Sequence, residues 1–394
     1  MSKLDDLINE FCPNGVEFKS LAEVCNSLKK NTLKKEQLIN NGDYYVVNSG
    51  RDYYGKYNLY NNDGNAFTFA SRGEYAGFLK FHDSKFWAGG LCYPYRSSNE
   101  NILSTKFAYY FLKNNEKSIM DSLVARGSIP ALNKLDIDSF QIPIPPLPVQ
   151  KEIVRILDKF TELTTELTTE LTLRKKQYEY YRDFLLSEEQ LGDEVQWVKL
   201  GDVATDIFRG SGIKRSEITE SGVPCIRYGE IYTSYGVYFE KCFSHTSKNV
   251  VSNPKILKKN DVLFAITGEN IEDIAKTTCY TGNEEGYVGG DIVVLRHEQN
   301  AKYLSYALST QDAIKQKTKG KVKSKVVHSS VSSISEIQIP LPPLKVQERV
   351  VKILDKFDSL VNDLSKGLPA EIEARKKQYE YYRDKLLSFK KIEN

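Results

Sequence analysis

Gln150-Lys-Glu-Ile-Val-Arg-Ile-Leu-Asp-Lys-Phe160 returns later in the chain as Gln347-Glu-Arg-Val-Val-Lys-Ile-Leu-Asp-Lys-Phe357. A proline-rich segment introduces each copy, Ile142-Pro-Ile-Pro-Pro-Leu147 and Ile339-Pro-Leu-Pro-Pro-Leu344. Farther on, Arg174-Lys-Lys-Gln-Tyr-Glu-Tyr-Tyr-Arg-Asp183 recurs letter for letter as Arg375 to Asp384. Ten identical residues in a row do not arise by chance. The chain is written twice.

Outward from these blocks the correspondence loosens. Val16-Glu-Phe-Lys-Ser-Leu-Ala-Glu-Val24 matches Val195-Gln-Trp-Val-Lys-Leu-Gly-Asp-Val203, and Phe69-Ala-Ser-Arg-Gly-Glu74 matches Phe264-Ala-Ile-Thr-Gly-Glu269. Trp87-Ala-Gly-Gly90 likewise matches Tyr287-Val-Gly-Gly290. Each half is thus a variable globular part followed by a near-invariant segment. The boundaries read as residues 1–148 and 190–345 for the variable domains, with helical segments at 149–189 and 346–390.

The invariant segments carry helical periodicity. Val149, Ile153, Ile156, Phe160, Leu163, Leu167 and Leu171, then Tyr178, Tyr181 and Leu185, recur at steps of mostly three and four and predict one apolar stripe over about nine turns. Val346, Val350, Ile353, Phe357, Leu360, Leu364, Leu368, Ile372, Tyr379, Tyr382 and Leu386 repeat it. The Pro-Pro pairs fix where each helix can begin. A long helix with one apolar stripe needs a partner, and the other copy supplies it as an antiparallel coiled coil. The alternative is two helices each packed on its own domain. Gly367 and Pro369 lie in the second segment only, and they predict a kink or interruption there.

The variable parts read as mixed α/β (α+β). Asp43–Val47, Ala66–Ala70 and Asp291–Leu295 are strand-like runs between Gly- and Asn-rich turns, and 105–114 and 301–309 read as helices. The fold class expected is two similar globular domains joined by two long antiparallel helices, with approximate two-fold symmetry.

Composition narrows the class. With 394 residues, 40% hydrophobic and 27% charged, the chain is globular and too long for one core. The longest apolar run, Val262 to Ile266, has the length of a strand and not of a membrane span. The polar start, Met1-Ser-Lys-Leu-Asp-Asp, lacks a signal peptide's apolar core, so a cytoplasmic protein is expected. Six scattered cysteines without a C-x-x-C pair are expected to be free and mostly buried. Four histidines without H-x-x-x-H spacing give no support to a zinc site. A net charge of +3 neither marks nor excludes a nucleic-acid binder, whereas 25 tyrosines suit a polar interface.

No phosphate loop, H-E-x-x-H, G-x-S-x-G or dinucleotide fingerprint is present, nor the [ND]-P-P-[YF] tetrapeptide of amino-methyltransferases. The paired carboxylates Glu74/Glu269 and Glu23/Asp202 sit beside turns and read as turn or cap residues. No catalytic residue, metal site or cofactor site is expected.

Two variable domains, each followed by a helix introduced by I-P-x-P-P-L-x-x-Q and carrying R-K-K-Q-Y-E-Y-Y-R-D, resemble the specificity subunit of a Type I restriction-modification system. The tract Thr161-Glu-Leu-Thr-Thr-Glu-Leu-Thr-Thr-Glu-Leu-Thr172 resembles the spacer repeat in that family's central helix. The resemblance implies a non-catalytic DNA-binding subunit whose target recognition domains each read one half of a split, non-palindromic site in double-stranded DNA. It implies helices that space the domains and dock two methyltransferase subunits, with motor-nuclease subunits joining for restriction. Methyl donor, ATP and magnesium would belong to those partners, and no membrane is involved. The competing class is a coiled-coil scaffold with two ligand-binding domains and no DNA readout.

Basic residues interleaved with aromatics and glycine mark the expected DNA contacts. In the first domain these are Lys34, Lys35, Arg51, Tyr53, Tyr54, Lys56 and Arg72. In the second they are Arg209, Lys214, Arg215, Arg227, Tyr228, Tyr232, Lys319, Lys321, Lys323 and Lys325, with Lys214-Arg215 aligning without gaps to Lys34-Lys35. Arginine suits guanine readout and lysine suits phosphate. Arg174, Lys175, Arg375 and Lys376, outward in the repeated block, are the expected partner-binding residues.

Overall fold

The computed structural model describes residues 3–192, 195–320, 326–363 and 365–392. The chain divides into two compact units, Met1–Glu166 with Glu373–Asn394, and Leu167–Ile372. Each unit therefore holds one variable domain, the beginning of the helix that follows it, and the end of the other long helix.

In the first unit a four-stranded antiparallel sheet runs in the order Cys25–Ser27, Cys92–Ser97, Ala66–Ala70, Leu79–His82. Ala66–Ala70 is apolar or small at every position and buried throughout, as a strand covered on both faces must be. The helix Thr105–Asn114, whose N-terminus is capped by the Ser104 side chain, contributes Phe107 and Ala108 to the same core as Phe67 and Phe69. A second sheet places Tyr44–Val47 between Gly55–Tyr57, antiparallel, and Phe86–Ala88, parallel. Strand Phe18–Ser20 pairs with Gln141–Pro143 and brings the domain's start beside the proline-rich segment.

The second unit repeats the plan. Its main sheet has the order Ala204–Arg209, Ile292–His297, Val262–Ala265, Lys276–Tyr280, Tyr238–Phe239. In its second sheet Val223–Ile226 pairs in parallel with Gly286–Val288, as Tyr44–Val47 does with Phe86–Ala88. Gln196–Lys199 pairs with Gln338–Leu341.

The central helix spans Leu147–Leu185 without a break. Val149, Ile153 and Leu157, one face at steps of four, are fully buried in the first domain's core, which also takes in Leu386 and Leu387 from the far end of the other long helix. In the second unit Val350, Val351 and Leu354 share a core with Tyr178 and Leu186. Helix starts thus meet helix ends in both units, so the pairing is antiparallel. Each helix also packs on its own domain, and the two expected arrangements coexist.

The I-P-x-P-P-L-x-x-Q motif has a local reason. Gln150 and Gln347 are fully buried. Gln150 accepts from the Ser104 N–H at 2.8 Å and donates to the Ile102 and Pro145 carbonyls at 2.8 and 2.6 Å. Gln347 accepts from the Asn300 N–H at 3.0 Å and donates to Pro342 O at 2.8 Å and Gln299 Oε1 at 2.9 Å. Both glutamines fasten the helix start to the preceding prolines and to the cap of the domain's helix. The aspartates of the repeated I-L-D-K-F play matching parts. Asp158 accepts from the Tyr110 hydroxyl at 2.5 Å and pairs with Lys106, and Asp355 accepts from the Tyr306 hydroxyl at 2.8 Å and pairs with Lys302.

The second long helix is interrupted, as Gly367 and Pro369 predict: Leu344–Asn362 ends and Leu368–Leu386 begins anew. A Cβ on Gly367 would lie 2.4 Å from the Ser359 carbonyl oxygen and 2.6 Å from that of Leu360. Pro369 falls in the first turn of the new helix, where a missing N–H costs nothing. The expected stripe shifts at this break. Leu360 is exposed while Val361 is buried, and Leu364 lies outside the described residues. All six cysteines are free, with Cys242 half-buried and the others buried. Among the described residues no helix is long and apolar enough to cross a membrane.

Candidate nucleic-acid interface

In the second unit the strand Ala204–Arg209 leads into a loop that lies directly on Gly289-Gly290. The Ser211 N–H donates to Val288 O at 2.8 Å, and a Cβ on Gly210 would sit 2.1 Å from Gly289 O. A Cβ on Gly290 would come within 3.1 Å of Gly212 Cα. Only glycine permits backbones to approach this closely. The loop then enters a single helical turn, Arg215–Glu217, and the whole frames an open cleft of about 940 Å³.

Arg209, Lys214, Arg215, Arg227 and Tyr228 all line this cleft. Asp291 holds Arg209 at 2.5 Å, with the Arg209 Nε–H also donating to Gly290 O. Glu230 faces Arg227 at 3.6 Å and accepts from the Arg227 backbone N–H at 2.9 Å. The carboxylate of Glu217 accepts from the Lys214 N–H at 2.7 Å. Lys214 and Arg215 are exposed and have no carboxylate partner among the described residues. Two arginines are therefore held in place, and two cations face solvent uncompensated. Tyr232 stands apart from the cleft lining. Half-buried, it donates its hydroxyl to Ala265 O at 3.2 Å and braces the domain. Lys319 is exposed, and Lys321, Lys323 and Lys325 lie outside the described residues.

The first unit builds the same loop from different side chains. The Asn31 N–H donates to Ala88 O at 2.9 Å, a Cβ on Gly90 would strike Thr32, and the Lys34 N–H donates to Gln37 as Lys214 does to Glu217. Lys30, absent from the expected set, reaches Gly90 O at 3.2 Å and stands over the Tyr93 ring, taking the place that Arg209 fills opposite Gly290. Lys34 and Lys35 are exposed on the turn Lys35–Gln37.

Arg51, Tyr53 and Lys56 gather elsewhere on this domain, with two residues the sequence pattern did not single out. Tyr53 stacks on Tyr45 at 4.1 Å with planes 17° apart, Lys80 caps the Tyr53 ring at 3.4 Å, and Lys56 stands 5.1 Å from the Tyr45 ring. Lys80 also reaches Arg51 O, and the Arg51 guanidinium lies over Tyr75. Tyr54 is exposed, and exposed Arg72 pairs through its backbone with Ala131. Lys80 comes from a strand of the other sheet, so no local motif reveals it. The run Tyr44-Tyr-Val-Val47 shows no polar alternation, so the sequence does not single out Tyr45 as its exposed member.

On the helices, Arg174 is exposed, pairs with Glu170 at 3.4 Å and donates to Gln177 at 2.9 Å. Half-exposed Arg375 donates to Gln378 at 3.1 Å, and Lys175 and Lys376 are exposed. Tyr178 is buried, while Tyr180 and Tyr381 are each 64% exposed. Glu23 proves to be a cap, accepting from the Ser20 N–H at 2.7 Å.

The family model for the Type I restriction modification DNA specificity domain matches this chain twice, over residues 13–174 and 192–374. The chain belongs to the Type I specificity subunits. It is 31% identical over 392 residues to a putative type I restriction enzyme specificity subunit of Haemophilus influenzae, covering 95% of this chain and 96% of that one. Against the EcoR124I/EcoR124II specificity subunit of Escherichia coli it is 32% identical over 308 residues, 75% of this chain and 74% of the other. The crystal structure of a Type I S subunit from M. genitalium shares the fold at a TM-score of 0.58 and 20% identity, covering 95% of this chain and 96% of that one. A chain solved in work on assembly and conformational transition of the type I restriction-modification system aligns at 0.61 and 17% identity, over 96% of this chain and 98% of its own. As a specificity subunit the protein is a DNA-recognition component of a restriction-modification system and not its enzyme.

Proposed function

We propose that each domain reads one half of a bipartite, non-palindromic DNA target, and that the helices space the domains and dock two methyltransferase subunits, with motor-nuclease subunits completing the restriction assembly. One observation carries the reading. The loop on a Gly-Gly pair occurs twice around a shared lysine, Lys34 and Lys214, but presents Lys30 and Lys35 in one unit where Arg209 and Arg215 stand in the other. A shared frame with differing donors suits two half-sites of different sequence. Methyl donor, ATP and magnesium then belong to the partners.

Selection of bound sites from random DNA by the subunit assembled with its methyltransferase tests this. Two separated, unlike half-sites are expected. Replacing residues 190–338 with a relative's domain should change one of them and leave the other intact. Loss of both together, or no sequence preference in the wild-type assembly, overturns the reading.

A further inference from the structure

The ladder Lys80–Tyr53–Tyr45–Lys56 occurs in one unit only, and strand pairing shows why. Tyr45 pairs with Lys56 across one strand boundary, and the next residue, Val46, pairs with Trp87 just before Gly89-Gly90. In the second unit Cys225 pairs with Tyr287 before Gly289-Gly290, which sets Pro224 where Tyr45 stands and His245 where Lys56 stands. Lys80 lies opposite Thr68 on the strand after Ala66–Ala70. The matching position, opposite Leu263, is the buried Thr278. Three of the four ladder members are thus replaced by residues that cannot build it.

The arrangement also decides what the ladder can bind. Tyr45 and Tyr53 are 45% and 39% exposed, yet the outer face of each ring is occupied by an ammonium group. A base has no free ring face on which to stack. What the ladder presents is a pair of lysines held by stacked rings, which removes much of the rotamer entropy that a free surface lysine loses on contact. Neither lysine has a carboxylate within ion-pair distance among the described residues. Two preordered cations without a base-reading fork suit the phosphate backbone.

We propose that Lys56 and Lys80, ordered by Tyr45 and Tyr53, form a sequence-independent phosphate-holding rail in the first domain that has no counterpart at the matching positions of the second. The proposal rests on the DNA-binding reading above and adds residues and a contact class to it.

The test is the salt dependence of duplex binding by the full-length subunit assembled with its methyltransferase, comparing wild type with Lys56→Gln/Lys80→Gln. Each lost phosphate contact removes about 0.9 from the slope of log affinity against log salt, so the double variant should lose about 1.8. Affinity for target and unrelated duplexes should fall by the same factor, and site selection should return the same two half-sites. The Lys56→Arg/Lys80→Arg variant, which keeps the charges, should retain the wild-type slope and so guards against misfolding as the cause. An unchanged slope in the glutamine variant, or an altered first half-site, overturns the rail. A wild-type assembly that binds DNA without sequence preference would instead sink the half-site reading, while the slope on unrelated DNA still reports on the rail.

Discussion

Phe160 stacks on Tyr382 with ring centroids 5.7 Å apart and planes 25° from parallel, and Phe357 stacks on Tyr181 at 5.5 Å with the same 25° tilt. Each pair joins the repeated I-L-D-K-F of one helix to the repeated R-K-K-Q-Y-E-Y-Y-R-D of the other, inside one unit. The identity of those blocks thus has a packing cause for two of the three tyrosines in each, since Tyr178 is also buried and Tyr379 packs edge-on against Phe160. Phe160→Ala should destabilise the first unit by about 2 kcal/mol, less than a fully buried phenylalanine would. A double-mutant cycle with Tyr382→Ala, followed by urea denaturation, should give a coupling of about 0.5 to 1.5 kcal/mol. The Phe357/Tyr181 cycle should return a similar value, and zero coupling in both would show the rings to be mere neighbours.

The basic start of each block lies largely at the surface, and there docking is the expectation. Charge reversal at Arg174, Lys175, Arg375 and Lys376 should weaken binding of the methyltransferase subunits by tenfold or more, about 1.4 kcal/mol. Thermal unfolding should change little, since Arg174, Lys175 and Lys376 are exposed and the contacts of Arg174 to Glu170 and Gln177 are solvent-facing. Pull-down with unchanged stoichiometry would place docking elsewhere.

Gln150 offers a sharper stability test. Gln150→Leu keeps the volume but strands the Ser104 N–H and the Ile102 and Pro145 carbonyls in a buried site. A loss of about 3 kcal/mol is expected, read by urea denaturation. Gln347→Leu should cost a comparable amount in the second unit.

Much of this was legible in sequence, for identifiable reasons. The strand Ala66–Ala70 and the helix Thr105–Asn114 follow from local pattern alone. Arg209, Lys214, Arg215, Arg227 and Tyr228 converge on one cleft because the chain beside them packs on Gly289-Gly290, Ser211 through its N–H to Val288 O and Ile226 through its carbonyl to the Gly289 N–H. Lys80 was invisible because its partner Tyr53 lies in the loop between two strands of the other sheet, a relation set by tertiary packing and by no spacing. Lys30 was hidden by register. It stands one position past the residue that aligns with Arg209, yet contacts the equivalent glycine carbonyl. Tyr232 carries the same cluster signature as Tyr228, and only the fold shows its hydroxyl committed to Ala265.

Lys317 gives the second unit a pH dependence. Its buried ammonium donates to Thr277 Oγ1 at 2.8 Å and Leu308 O at 2.7 Å, and burial, aided by the nearby Arg182 charge, lowers its pKa from 10.5 to about 7. Between those values the unfolded chain holds the proton and the folded one does not. Folding therefore gains stability as pH rises from about 7 towards 10.5. Relative to Lys317→Met, wild type should gain up to about 1.4 kcal/mol per pH unit across that window. Denaturation midpoints at pH 7, 8.5 and 10 that track one another in the two proteins would refute it.

The Thr-Glu-Leu-Thr tract supplies a prediction about length. The helix runs unbroken through it, with Leu163, Leu167 and Leu171 half-buried and the Thr161, Thr164, Thr165 and Thr172 hydroxyls donating to carbonyls four residues back. Threonines so engaged stay in the helix without needing partners outside it. Four added residues advance the helix by about 6 Å and rotate it by about 400°, a net 40°. The leucine stripe then stays nearly in phase, whereas three or five residues would swing it by about −60° or +140°. B-DNA rises about 3.4 Å per pair, so one added Thr-Glu-Leu-Thr should lengthen the unread spacer by about one to two base pairs. Both half-sites should keep their sequences, because neither domain's loop is touched. Insertion of three residues should instead unfold the pairing or abolish binding. Site selection on the four-residue variant is the measurement, and an unchanged spacer with binding retained would show that the helix does not set the distance.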